Sequence, residues 1–290
     1  MKKYLAALLD KATKPFVGKG YIDRYLPFAV SAYEYLYSIS RSDTQPIVDI
    51  PLNSKLVVFN KDSHLGRPLI NGMPFEFVTT ARFIKEVSAD DTIFDVGANV
   101  GYYTVLGAKK AIEGTVFAFE PEANNFSLLE KNAVLNSLDN TTIVRFAVGS
   151  SDGEVGLRTK PGHAGKAHIT LSESLNKVKL TTLDTFCTHN SIEKINVMKL
   201  DVEGSEIDVL RGGKEILSGS PGLKVFLEYN ERSIRSFGER KEEIFEILEE
   251  LGLKPTAILD EVGGKEIPFS ASNLAKVLRR ASYTNIFCEK

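Results

Sequence analysis

The chain has 290 residues, is 43% hydrophobic and 26% charged, and carries a formal net charge of −2. That balance allows one large domain, or one domain with a small appendage, and the lack of a basic surplus argues against nucleic acid as a partner. The two cysteines, Cys187 and Cys288, lie far apart with no C-x-x-C, so neither a zinc site nor a disulfide framework is expected and a reducing cytoplasm is the simplest location.

The opening "MKKYLAALLDKATK" has an apolar run cut short by Asp10 and Lys11, a poor match to a secretory signal. "YIDRYLPFAVSAYEYLYSI" is apolar and tyrosine-rich, but Asp23, Arg24 and Glu34 interrupt it, short of the ~18 apolar residues in a row that a spanning helix needs. It reads as an amphipathic helix docked on the core, with peripheral contact to a membrane surface as the alternative. Residues 1–70 are assigned to an N-terminal helical extension. "KLVVFNKDSHLGRPLINGMPFEFVTTARFIKEVS" then suggests a strand, a Gly/Pro-marked loop and a helix over Val78–Val87, forming a lid-like lead into the core.

From Thr92 on, strands alternate with helices, the pattern of a parallel sheet covered on both faces. The strands are expected at Thr92–Val96, Thr115–Phe119, Thr141–Val148, Asn196–Leu200 and Leu223–Tyr229, and the clearest helices at Ala123–Asn136, Glu206–Leu217 and Glu239–Leu251. The first strand runs into "DVGANVG", where Gly97 and Gly101 permit a sharp turn and close approach. Asn99 stands where a dinucleotide fingerprint has its middle glycine, and a P-loop count from Gly97 meets Tyr102 with no lysine after it. A turn with acidic Asp95 and no basic residue suits an adenosine-like ligand without phosphate, and S-adenosylmethionine, a sulfonium cation, fits that description. Tyr102 and Tyr103 are read as core packing plus one pocket wall. The second strand ends at Glu120, at about the 20-residue distance where an acidic group takes the ribose hydroxyls, which a carboxylate does because its oxygens only accept.

The irregular stretch around "TKPGHAGKAHI" is read as a hairpin insertion at about 152–180. "INVMKLDVEGSEIDVL" brings Asp201 and Glu203 to a strand's carboxyl end, where ligands sit in open α/β sheets, and Ser205-x-x-Asp208 resembles a capping box. "LKVFLEYN" ends in Glu228 and Asn230 at the same edge. Asp201, Glu203, Glu228 and Asn230 form an oxygen-rich set that a magnesium or calcium ion would favour, the alternative to a metal-free site. His64, His163 and His168 are loop histidines that could serve as bases, though solvation explains each of them.

The segments "FDVGANVGYYT", "FAFEPEANNFSLLEKN", "RFAVGSSDGEV", "TTLDTF" and "MKLDVEGSEIDVLRGG", in this order and spacing, resemble the FkbM family of S-adenosylmethionine-dependent methyltransferases over about Glu76–Lys290. The resemblance implies an α/β class I methyltransferase fold over residues 71–290, Rossmann-like and doubly wound. Its mostly parallel seven-stranded sheet would take its antiparallel edge from Thr256–Leu259 and Thr284–Cys288. It also implies O-methylation of a hydroxyl on a saccharide, glycoconjugate or other natural product, so the partner is a small-molecule or glycan acceptor. Asp201 is the first choice for base or acceptor-orienting group, Glu228 the second and Glu203 the third. Pro121, Ala147 and Val148 join Asp95, Gly97, Asn99, Gly101, Tyr102, Glu120 and Asp201 as expected donor contacts. Family members often carry a histidine just past the strand-five glutamate; here Tyr229 stands there, so no histidine base is carried over. A nicotinamide-dependent oxidoreductase, disfavoured by the missing glycine, and a catalytically silent cofactor-binding module are the competing readings.

Overall fold

A computed structural model describes residues 37, 42–62, 64–159, 167–170 and 176–290. The expected N-terminal extension helix with its membrane contact, Tyr37 apart, and His163 lie outside the described residues. Strand β1 (Ile47–Ile50) pairs antiparallel with β2 (Ser54–Val57), and α1 (Gly66–Ile70) and α2 (Phe77–Glu86) lead into the core. There follow β3 (Thr92–Val96), α3 (Tyr102–Lys110), β4 (Thr115–Phe119), α4 (Ala123–Leu135), β5 (Thr141–Val144) and β6 (Ala147–Val148). Next come β7 (Gly153–Thr159), β8 (Ala167–Thr170), β9 (Lys177–Thr181), α5 (Leu183–His189), β10 (Val197–Leu200), α6 (Glu206–Arg211) and α7 (Lys214–Gly219). The chain closes through β11 (Lys224–Tyr229), α8 (Glu231–Ser236), α9 (Glu243–Glu250), β12 (Lys254–Asp260), β13 (Lys265–Pro268), α10 (Ala271–Leu278) and β14 (Thr284–Glu289).

The main sheet has the order β13-β12-β14-β11-β10-β3-β4-β5. Strands β5, β4, β3, β10 and β11 run parallel, and β14 inserts antiparallel between β11 and β12. The sheet therefore has eight strands where seven were expected, because Lys265–Pro268 adds itself outside β12. From β3 the chain steps outward through β4 and β5, whereas β10 and β11 extend on the other side of β3. The switch point, where ligands bind in such folds, lies at the carboxyl ends of β3 and β10.

Side chains alternate between the two faces along each strand. Phe94, Met198, Leu200, Val225 and Leu227 pack on the face covered by Leu183, Ile207, Leu210, Ile244 and Leu248 from α5, α6 and α9. Ile93, Val197, Phe226 and Phe287 face the other way, against Phe83 of α2 and Val105 and Leu106 of α3. Asp95, Lys199 and Glu228 share the alternation of this second group, which puts charged residues under α2 and α3.

The β1–β2 hairpin is tied to α4 by two asparagines one turn apart. The Val57 N–H donates to Asn132 Oδ1 (2.6 Å), and Asn132 Nδ2 donates to the carbonyls of Val57 (3.0 Å) and Val100 (2.7 Å). Asn136 treats Lys55 in the same way, accepting from its N–H at 3.0 Å and donating to its carbonyl at 2.7 Å. The expected strand Thr141–Val148 is divided: β5 stays at the sheet edge, held on one side only, and β6 leaves to join β9 in a second sheet of order β6-β9-β7-β8. The expected helix Glu206–Leu217 is divided at Gly212–Gly213, and Gly212 lies so near the Gly149 carbonyl oxygen that a Cβ there would collide with it. No helix among the described residues is long and apolar enough to cross a membrane.

Candidate active site

The turn after β3 holds Gly97 (φ 88°), Asn99 (φ 52°) and Gly101 (φ 94°) in the left-handed region, which glycine and asparagine tolerate best. At Gly97 a second demand appears: a Cβ would overlap the carbonyl oxygen of Asp201, whose N–H donates to Val96 O at 3.0 Å. The glycine turn and the Asp201 loop are thus seated against each other. The N–H groups of Gly97 and Ala98 donate to Phe119 O (3.0 and 2.9 Å), drawing the turn onto the end of β4. There the Asn99 N–H donates to Glu120 Oε2 and the Glu122 N–H to Glu120 Oε1, each at 2.8 Å. Burial pushes the Glu120 carboxyl up to about 7, against the pull of these backbone donors. The Asn125 side chain is a further donor to this carboxylate.

Tyr102 is 3% exposed, edge-on to Phe75, with its hydroxyl 3.2 Å from Thr80 Oγ1. Pro121 is half-buried beside Glu120, while Ala147 and Val148 are buried in β6.

At the neighbouring strand ends the structure assembles an acidic row. The pairing of Leu200 with Leu227 puts Asp201 beside Glu228, and Glu228 pairs in turn with the fully buried Asn285 of β14. Glu76 comes from the leading segment, at the N-cap of α2 with φ 39°. Carboxylate oxygens of Glu76, Asp201 and Glu228 lie within 4.8 Å of one another. Tyr103 Oη donates to Glu76 Oε2 at 2.6 Å. The N-terminus of α2 is held by the Glu261 carboxylate, which accepts from the N–H groups of Val78 (3.0 Å) and Thr79 (2.8 Å), the favoured place for an anion. Lys199, 1% exposed, donates to Asp201 Oδ2 at 3.0 Å and stands 5.3 Å over the Tyr103 ring.

Asp95 sits beside Lys199 across the β3–β10 pair and accepts from Thr104 Oγ1 at 2.5 Å; burial pushes it up to about 6. Glu76 is also raised by burial, with the Lys199 charge opposing. Burial, reinforced by the charges of Glu76, Glu228, Asp201 and Glu261, holds the Tyr283 phenol well above its ordinary range.

The four-residue oxygen set expected from the sequence does not form. Asn230 is the N-cap of α8, its side-chain oxygen accepting from the N–H groups of Arg232 and Ser233 at 3.2 Å each. Glu203 sits half-buried at a left-handed bend (φ 58°) and is not in the three-carboxylate group. The capping box is also absent, because Ser205 Oγ turns back to donate to Val202 O (3.3 Å) and Asp208 pairs with Arg211 (3.3 Å). Buried Glu206 organises the loop instead: its Oε1 accepts from the N–H groups of Val202 (3.2 Å) and Gly204 (3.0 Å).

Sequence reasoning missed Glu76, Lys199 and Tyr283, and read Tyr103 only as core packing or pocket wall. Lys199 carried a signal, a charged residue between Met198 and Leu200 in a strand buried on both faces. Glu76 carried none.

The methyltransferase FkbM domain model matches residues 95–255, more than half of the chain. The chain belongs to the FkbM methyltransferase family. Among similar proteins, the hexuronic acid methyltransferase AglP of Haloferax volcanii is 33% identical over 130 residues, 44% of this chain and 52% of its own length. The 2-O-methyltransferase NoeI of Sinorhizobium fredii is 23% identical over 163 residues, 50% of this chain and 65% of its own. The chain thus spans about half to two-thirds of the length of these relatives. Among solved structures, P. horikoshii TYW2 in complex with MeSAdo covers 96% of this chain and 83% of its own at 13% identity with a TM-score of 0.46, too distant to inform the chemistry. Within this FkbM protein the family segment contains Glu120, Asp201 and Glu228, whereas Glu76 and Tyr283 reach the same site from outside it.

Proposed function

We propose that this FkbM protein transfers a methyl group from S-adenosylmethionine to a hydroxyl of a saccharide, glycoconjugate or other natural product. The observation that carries the reading is Glu120, a buried acceptor-only carboxylate at the end of β4, held beside the glycine turn by the backbone N–H groups of Asn99 and Glu122 with the Asn125 side chain as a further donor, where a ribose diol would meet it. No cationic side chain lies in this turn, which suits a donor without phosphate. The relatives named for methylating a hexuronic acid and a 2-O position support the acceptor class.

When bound, S-adenosylmethionine supplies a methyl carbon already activated by its sulfonium. The protein's task is then mainly positioning: an acceptor oxygen must be held about 3 Å from that carbon, behind the bond that breaks. Asp95, Gly97, Asn99, Gly101 and Glu120 would seat the adenosyl half, with Pro121, Ala147 and Val148 as its neighbours and Tyr102 packed behind the turn. Asp201 and Glu228 would face the acceptor. Asp201 Oδ2 is held by Lys199, so its other oxygen is the one to accept the hydroxyl's hydrogen bond and then its proton. Glu228 is the second candidate for this role, and Glu203 in the adjoining bend the third. Lys199 already supplies positive charge among the carboxylates, so transfer is expected to need no divalent cation. The test is transfer of radiolabelled methyl from S-adenosylmethionine to a panel of glycosides and nucleotide sugars. Labelled acceptor is the expected product, and failure of the folded protein to bind the donor at all would sink the proposal.

A further inference from the structure

Lys199 occupies a position that lysine rarely tolerates. It lies in the strand between β3 and β11, flanked by the fully buried Met198 and Leu200, and is itself 1% exposed. A buried ammonium is costly unless it is paired and hydrogen-bonded. Its partner is Asp201 on the same strand, at 3.0 Å. Beyond that pair stand Glu76 from α2 and Glu228 from β11, both with oxygens within 4.8 Å of Asp201. Asp95 flanks Lys199 from β3, the Tyr103 ring lies under it from α3, and Tyr283, Glu261, Glu206 and Tyr102 are further titratable groups around the cluster among the described residues. Like charges so close repel one another, and the Lys199 ammonium offsets that repulsion from within the cluster.

Lys199 is too deeply buried to meet a substrate, so whatever it does it does through its neighbours. We propose that Lys199 is a positioning residue, an internal counter-ion whose bond to Asp201 Oδ2 fixes that carboxylate beside Glu76 and Glu228 and leaves its other oxygen to accept the acceptor's hydroxyl proton. This rests on the methyl-transfer reading above. In the step it serves, the acceptor O–H bond breaks, the O–C bond forms as the C–S bond breaks, the proton passes to Asp201, and Lys199 keeps its own proton throughout. Although burial pulls the Lys199 ammonium down, the charges of Asp201, Glu76 and Glu228 outweigh it and hold it above its ordinary range.

The test compares Lys199→Met, which keeps the length and removes the charge, with Lys199→Arg and with the double variant K199M/E76Q, which removes one carboxylate to rebalance the cluster. Carboxyl carbon NMR titration of the ligand-free protein reads the cluster without any activity. The acidic limb of kcat, measured with an acceptor that the wild type is found to methylate, reads its consequence. In K199M, one carboxyl of the cluster should titrate roughly 1–3 units higher than in the wild type, and the acidic limb should move up with it, with KM for S-adenosylmethionine changed less than about threefold. K199R and K199M/E76Q should bring both back toward wild type.

A packing role alone would lower activity equally at every pH, shift no carboxyl and gain nothing from E76Q; that pattern overturns the proposal. Should K199M fail to fold, a folded K199M/E76Q with near wild-type titration supports it, and a double variant that also fails to fold overturns it. If the wild type transfers no methyl group to any acceptor, the methyl-transfer reading falls, while the NMR titration still decides whether Lys199 is the counter-ion.

Discussion

Replacing Glu120 by glutamine tests the donor site with little change in shape. In the wild type one carboxylate oxygen accepts from the Asn99 N–H and the other from the Glu122 N–H. A glutamine amide must turn its NH2 toward one of them, setting donor against donor, and it can accept from only one ribose hydroxyl. Losing one hydrogen bond to a charged acceptor costs about 1.5–3 kcal/mol, so Kd for S-adenosylhomocysteine should rise roughly 10- to 150-fold. Calorimetric titration measures this directly, with a thermal melt to confirm the fold.

The pH dependence adds a second reading. Burial holds free Glu120 near 7, and the ribose hydroxyls favour its ionised form, so wild-type binding should tighten as pH rises through about 7. The variant should lose that dependence. A folded E120Q that binds within twofold of wild type at pH 8 would refute the assignment of Glu120 to the ribose.

Asp201→Asn should lower kcat by about 10²–10⁴ while S-adenosylhomocysteine binding, by the same calorimetry, stays within a few-fold; parallel loss of both would contradict a role confined to the acceptor. Glu206 is raised to about 7 by burial, so the stability it contributes is full below its unfolded value and is lost as pH rises through 7. Glu206→Gln keeps an oxygen for the Val202 and Gly204 N–H groups, so its melting temperature should gain on the wild type from pH 5 to pH 8, and an unchanged difference would oppose this. Gly97→Ala should fold poorly or lose donor binding, because its Cβ meets the Asp201 carbonyl and its φ is 88°; circular dichroism and calorimetry together would show which. Activity should survive dialysis against EDTA, and loss restored by magnesium would show that Lys199 does not suffice as the cation.

What the sequence made legible follows from local pattern. Strands such as Thr92–Val96 and Thr115–Phe119 stand out because central parallel strands are apolar on both faces. Glu120 stands out because it ends one of them. Gly97 was legible as a glycine that something approaches closely, yet the approaching group the structure shows is the Asp201 carbonyl. What stayed hidden is set by contacts distant in sequence. Glu76 is held in the site from two distant places, by the Glu261 carboxylate at the N-terminus of α2 and by the Tyr103 hydroxyl on its own carboxylate. Nothing in "LDVEGSE" shows that Glu206, not Ser205, takes the loop's N–H groups, since that choice depends on the burial of Glu206 beneath the loop. From the sequence Asn230 reads only as an edge ligand, whereas the structure makes it the N-cap of α8, a role that asparagine favours.

The most direct test is a crystal of the protein soaked with S-adenosylhomocysteine. The ribose hydroxyls should lie within hydrogen-bond distance of Glu120 and the sulfur should point toward Asp201 and Glu228. Density for the nucleoside away from Glu120, or a sulfur turned away from those two carboxylates, would contradict the account.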